Sequence, residues 1–198
     1  MAIIVDKVQK RKDIALSCKE LIFRNGISNL TISQIAKTAG VGKGTIYEYF
    51  KNKEDIVFEI VNILVQERNI IKEKQLSEIS VTKDKIKLFS KFFYCDEDIE
   101  LRELYKEFIS ISLSNPNKEM IAFQTECSNG YFRWFEKIIQ EGIDKGELIK
   151  ESSRFARGLF VMAEGMFINS EVTNSIDNLK DEIYNNIDAL FEFIEVKK

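Results

Sequence analysis

Apolar residues recur three and four positions apart along almost the whole chain, the period of helices with one buried face. A first helix is predicted over about residues 7–25, with Ile14, Cys18 and Leu21 in one stripe and Ala15 and Ile22 beside it. Lys10, Arg11, Lys12 and Lys19 fall mostly off that stripe, and Gly26 can end the helix at the cost of a positive φ that glycine tolerates. A second helix starts at Thr31, where Thr31-Ile-Ser-Gln34 reads as a capping box. Ile35, Ala36 and Ala39 face inward, and Gly40 supplies a turn. A third helix over roughly 42–49 can pack through Val41, Ile46 and Phe50, which leaves Lys43, Thr45, Tyr47 and Tyr49 for solvent or a partner. Two helices joined by a glycine turn, the second polar on its outer face, form a helix-turn-helix.

Asn52 is placed to cap a fourth helix, with Glu54 and Asp55 at its positive dipole end. Ile56, Ile60, Ile63, Leu64 and Ile70 carry that helix towards residue 74. Further helices are predicted at about 83–94, 97–114, 118–145, 153–172 and 176–195, about nine in all, with Asp96, Ser152 or Ser153, and Ser175 as caps. The helix at 153–172 differs from the others. Phe155, Leu159, Met162 and Met166 form one stripe, and Phe160, Ala163 and Phe167 a second about 100° round. Two stripes imply burial on two sides, with Gly158 and Gly165 permitting a close approach; a large core within one chain is the alternative. The expected fold class is all-α. A three-helix head at 1–53 precedes a larger helical body at 54–198.

Charge sharpens this division. Residues 1–53 hold ten Lys and Arg against four Asp and Glu, a surplus of six positive charges. Residues 54–198 hold nineteen against twenty-eight, nine negative, so the net −3 conceals a basic head on an acidic body. Only the head is suited to a polyanion.

The chain contains no histidine, which removes the His-dependent nucleophilic triads and the common His-containing zinc sites. Cys18, Cys95 and Cys127 are far apart and odd in number, against a disulfide framework or a thiolate metal site. No phosphate loop or paired-carboxylate motif is present, so no enzyme activity, cofactor or metal is expected. Met1 to Val5 is too short for a signal peptide, and no apolar run approaches the ~20 residues of a membrane span. A soluble cytoplasmic protein is expected.

The head resembles the TetR family of bacterial transcriptional regulators. The resemblance runs through Cys18-x-x-Leu21-Ile22 and Gly26, then Thr31-x-x-x-Ile35-Ala36-x-x-Ala39-Gly40-Val41, and ends with Gly44-Thr45-Ile46-Tyr47-x-Tyr49-Phe50-x-Asn52-Lys53-Glu54. Gly42 stands where the family often has a capping serine, so the third helix begins without a side-chain acceptor. The resemblance implies an N-terminal DNA-binding head and a C-terminal domain that binds a small molecule and dimerises.

A helix of this kind fits the major groove of double-stranded DNA. Lys43, Thr45, Tyr47 and Tyr49 are the candidates for contact there, Thr31 and Ser33 for the DNA backbone, and Lys53, at a helix N-terminus, for a phosphate. Tyr47 and Tyr49 lie roughly 200° apart on an ideal helix, so both share one face only if the helix ends between them. The helices at about 153–172 and 176–195 are the expected seam of a homodimer, whose two heads would read a palindromic operator. In the body, Phe92, Tyr105, Phe108, Trp134, Phe135 and Met162 are candidates to line a pocket for a small apolar or aromatic effector. The expected function is a ligand-responsive regulator, a repressor released from DNA by its effector. The alternative is a helical small-molecule binder whose head no longer reads a specific operator.

Overall fold

The computed structural model describes residues 6–197; the apolar segment Met1 to Val5 lies outside them. Ten α-helical segments run along the described chain, nine if the first two are taken as one hitched helix. These two are α1 (Lys7–Ser17) and α2 (Lys19–Asn25), where the periodicity predicts a single helix. The cause of the break is local. The Ser17 hydroxyl donates to the Ile14 carbonyl at 2.7 Å, and the Cys18 N–H turns to Ala15 instead, at 3.0 Å. A serine that competes for its own turn's carbonyl disturbs the helical ladder. Asp6 caps α1 by accepting from the Val8 and Gln9 N–H groups.

The capping box forms at α3 (Ile32–Thr38): the Gln34 N–H donates to Thr31 Oγ1 at 3.3 Å, and the Thr31 N–H donates to Gln34 Oε1 at 3.0 Å. Gly40 turns the chain at φ 65° into α4 (Lys43–Tyr49). Asn52 caps α5 (Lys53–Ser77) through the Asp55 N–H at 2.8 Å.

The remaining elements are α6 (Thr82–Phe89), which tightens into a 3₁₀ turn over Ser90–Phe93, α7 (Ile99–Ser114), α8 (Lys118–Asp144), α9 (Ala156–Val172) and α10 (Leu179–Ile194). Three predicted caps are displaced. Asp96 opens a 3₁₀ turn ahead of α7 rather than capping it. A third 3₁₀ turn, Lys150–Phe155, precedes α9, so Phe155 takes the cap position and neither Ser152 nor Ser153 caps. Asn178 caps α10 in place of Ser175, accepting from the Asp181 N–H at 3.1 Å. The described residues contain no β-strand, only an isolated antiparallel bridge between Leu148 and Glu195.

Two units emerge. One comprises Met1–Asn69 with Glu103–Phe123; the other comprises Ile70–Arg102 with Gln124–Lys198. The core of the first is laid down by Ile14, Ala15, Cys18, Ile22, Ile35, Ile46 and Phe50, all at most 2% exposed. Full burial of each large side chain is worth ~1.5–3 kcal/mol before entropy is counted. Residues 103–123 join this unit through specific contacts. Phe58 of α5 stacks on Phe123 of α8 (centroids 4.4 Å apart, planes 13° apart), and Phe108 of α7 stands edge-on to Phe58 at 6.1 Å and to Phe123 at 5.9 Å. The Asn52 side-chain amide donates to Glu119 Oε2 at 2.8 Å.

The second unit is built on Ile86 and Phe89 of α6, Phe132, Phe135, Ile138 and Ile139 of α8, Leu159 and Ala163 of α9, and Ile183, Ile187 and Phe191 of α10. Gly142 on α8 allows a close approach: a Cβ there would lie 2.7 Å from Thr82 Cγ2 and 2.9 Å from Leu148 Cδ1. On α9, Leu159, Ala163 and Phe167 are buried while Val161, Val172 and both glycines of the helix remain exposed. Phe193 of α10 is 77% exposed.

Candidate nucleic-acid interface and effector core

The head's outer surface follows from how α4 is pinned. Ile46 is fully buried and Phe50, just past the C-terminus, is 2% exposed. With that side fixed, Lys43, Gly44, Tyr47 and Glu48 are exposed, and Thr45 and Tyr49 are half-buried. Lys43 and Tyr47, four apart, lie on one helical face, and Tyr47 is 60% exposed, a large ring held in solvent. Tyr49 closes the helix on a different side and is turned partly into the protein. Thr31 and Ser33 are exposed at the start of α3. The Thr31 hydroxyl is engaged by its own cap, accepting from the Gln34 N–H and donating to Gln34 Oε1 at 2.7 Å. Gly42 takes the cap position of α4 with no side-chain hydrogen bond.

Lys53, at the N-terminus of α5, donates to the carbonyls of Ile27 at 3.1 Å and Ser28 at 2.8 Å. An ammonium carries three donors, so these two bonds do not exhaust it. They give Lys53 a structural role that its place in the motif does not reveal: it closes the loop between α2 and α3 onto α5.

Two positioning residues escape sequence reasoning. Arg11 of α1 donates from Nε to Glu59 and from Nη2 to Asp55, both at 2.8 Å, and from Nη1 to the carbonyl of Tyr49. Its guanidinium also lies 4.2 Å from the centre of the Phe50 ring. One planar fork thus ties α1 to the end of α4 and to α5, a task for which a lysine has no equivalent geometry. Burial alone would raise the Asp55 carboxyl, but the Arg11 hydrogen bond, the Lys51 backbone N–H and the two cationic charges hold it below its ordinary value. The second residue is Glu107 of α7, whose carboxylate accepts from the Ile27 backbone N–H. Gly26 precedes that N–H at φ 73°, and a Cβ at Gly26 would stand 2.8 Å from Glu107 Oε1. Arg11 is visible in sequence as one more basic residue off the apolar stripe, and Glu107 as one more acid on a polar face. Neither carries a motif.

The candidate effector residues divide between the units. Tyr105 and Phe108 belong to the first; Phe92, Trp134, Phe135 and Met162 belong to the second. Within the second, Phe89 gathers Trp134 and Phe135 edge-on, each at 5.5 Å, and Phe135 meets Phe160 at 5.7 Å. Phe92 lies 5.2 Å from Phe93, and Met162 packs partly buried on the same core. None of the described helices is long and apolar enough to cross a membrane.

Residues 18–60 match the family model for "Bacterial regulatory proteins, tetR family". The chain is 32% identical over 146 residues to the fatty acid metabolism regulator protein of Bacillus subtilis (strain 168), covering 72% of each chain. It is 25% identical over 134 residues to the regulator QacR of Staphylococcus aureus, covering 65% of this chain and 68% of that one. A crystal structure of the transcriptional regulator FadR from Bacillus subtilis in complex with stearoyl-CoA aligns with a TM-score of 0.67 and 30% identity, over 90% of this chain and 96% of that one. A TetR-family regulator from Cytophaga hutchinsonii shares the fold at a TM-score of 0.78 and 16% identity, over 99% and 100% of the two chains.

Proposed function

The chain belongs to the TetR family of bacterial regulatory proteins and is a ligand-responsive transcriptional regulator, and on that premise we propose that it is a homodimeric repressor that α4 docks on a palindromic operator. In this reading Lys43, Thr45 and Tyr47 face base edges in the major groove. Thr31 and Ser33 meet the DNA backbone, and Lys53 adds a phosphate contact through its remaining donor. Tyr49 braces the end of α4 and reaches the backbone from its exposed edge. The observation that carries the proposal is the exposed face of α4, where Lys43 and Tyr47 stand clear of a core sealed by Ile46 and Phe50.

The head functions as residues 1–53 and the body as 54–198, with dimerisation through the outer sides of α9 and α10. Exposed Val161, Val172 and Phe193 support that seam, as do Gly158 and Gly165, where an added Cβ would meet nothing within 4 Å. Two heads related by a two-fold axis then read two half-sites.

The effector is apolar, and Phe92, Trp134, Phe135 and Met162 of the second unit are its proposed surroundings. The relative seen with stearoyl-CoA favours a long acyl chain over a compact aromatic. Such a ligand releases DNA only by binding the DNA-incompetent state more tightly. The test is selection of duplexes from a random pool by the intact protein, followed by sequencing. A recovered palindrome, lost on adding an acyl ligand, is the expected result. Recovery of unrelated duplexes at low ionic strength would overturn the operator-reading role and leave a small-molecule binder with a degenerate head.

A further inference from the structure

One charged group in the second unit lies against its aromatic core, and DNA binding makes no use of it. Lys72 follows Ile70 and Ile71 on α5 and is partly buried. Its ammonium stands 5.0 Å from the ring centre of Phe89 and 5.6 Å from that of Tyr131. Trp134 extends this wall, stacking 6.4 Å from Tyr131 with planes 16° apart and meeting Phe89 edge-on at 5.5 Å. Three helices therefore bring one cation to one aromatic surface. Among the described residues no carboxylate forms an ion pair with Lys72. Burial lowers its pKa to about 8, and Asp98 opposes that shift only by its charge. Ring faces compensate a desolvated ammonium incompletely. An anion arriving beside it would restore what burial removes, and rings on the same side suit an apolar remainder.

Charge narrows the choice of anion. Residues 54–198 carry nine net negative charges, which oppose a polyanion far more than a single carboxylate. We propose that Lys72 anchors the anionic end of an acyl-chain effector, best matched by the carboxylate of a long-chain fatty acid, whose first carbons lie against Phe89, Tyr131 and Trp134. This rests on the reading of the body as an acyl-binding sensor and adds to it the group that distinguishes an acid from a neutral chain. The site lies in one unit and needs no residue from a second copy.

Trp134 is the chain's one tryptophan, so its fluorescence reports on this cluster in the intact protein. Palmitate, hexadecanol and palmitoyl-CoA, each below its micellar concentration, would be titrated against wild type, Lys72→Met and Lys72→Arg. Palmitate should bind wild type about tenfold or more tighter than hexadecanol, the worth of one charge-assisted contact. Lys72→Met should abolish the preference while keeping hexadecanol affinity, and Lys72→Arg should retain most of it. An equal loss for palmitoyl-CoA on Lys72→Met would identify the anion as a phosphate of that headgroup, the same anchoring from another source. Unchanged palmitate affinity in a folded Lys72→Met protein would overturn the anchor and leave the acyl reading standing. Should that variant fail to fold, equal affinity of wild type for palmitate and hexadecanol would overturn the anchor by itself. Failure of all three probes to bind wild type would overturn the acyl reading.

Discussion

The carboxylate of Glu107 accepts a hydrogen bond from the backbone N–H of Ile27, eighty positions earlier in the chain. That N–H follows Gly26 at the end of α2, where the helical ladder has stopped and a backbone donor needs a partner from elsewhere. Glu107→Ala should therefore cost ~1.5–3 kcal/mol, the range for a hydrogen bond to a charged group. For a chain of this size that is a fall of about 3–12 °C in melting temperature, measurable by circular dichroism. Glu107→Gln, which keeps an acceptor, should recover most of the loss.

Arg11 makes a pH-dependent contribution through Asp55. The Asp55 carboxyl is held below its ordinary value in the folded chain, so its stabilising effect is fully present above the unfolded-state pKa of ~4 and is lost as pH falls through the lower, folded value. Arg11→Met removes the cation that holds it down. Both proteins should lose stability in acid, but the variant should lose less between about pH 5 and pH 3, having less to lose. At neutral pH the variant should be ~1–3 kcal/mol less stable, because it leaves two carboxylates beside one another. Urea denaturation across that pH range checks both statements. A parallel pH dependence in the two proteins would show that the guanidinium does not act through Asp55.

Gly42 offers a prediction of the opposite sign. Its φ of −72° suits any residue, and a Cβ there would have its nearest neighbour, Thr45 Oγ1, at 4.0 Å. Gly42→Ser should supply the missing acceptor at the start of α4 and stabilise the head by a few tenths of a kcal/mol. Operator affinity should rise slightly with no change in the preferred sequence. A binding curve on the selected duplex, together with a thermal melt, decides it.

The proposed dimer seam is addressed by Phe193→Glu. Phe193 is largely exposed in the single chain, so the substitution should leave its stability within about ±0.5 kcal/mol. In sedimentation it should shift the assembly to monomer, and operator binding should fall with it. If the wild-type dimer neutralises ~6–8 phosphates, its log affinity should fall against log salt with a slope of about −5 to −7, and a monomeric variant should show about half that slope.

The legible parts of this chain are those in which the information is local. The capping box at Thr31 and the Asn52 cap depend on neighbours within four residues, and the burial of Ile46 and Phe50 follows the helical period, so spacing alone reveals them. The break at Cys18 is local too, but it turns on whether the Ser17 hydroxyl takes the Ile14 carbonyl, which periodicity does not encode. Lys53 shows a different limit. Its position at a helix N-terminus points to a phosphate, while the carbonyls of Ile27 and Ser28 reach it only after the chain has folded back. Arg11 and Glu107 are further still from any sequence signal, since their partners lie tens of residues away, on other helices for Arg11 and in the turn after α2 for Glu107. The aromatic residues of the body show the same effect: composition announces an apolar core, but only packing sets Lys72 against Phe89 and Tyr131.

Gly142 sits inside α8, where backbone geometry would accept alanine gladly, and yet Thr82 and Leu148 occupy the space a methyl would need. Saturation mutagenesis should find that codon nearly intolerant, while that of Gly130, whose surroundings are open, accepts many replacements. A survey by composition would score the two alike, as weak links in helices; one is room to drift, and the other is a keyhole.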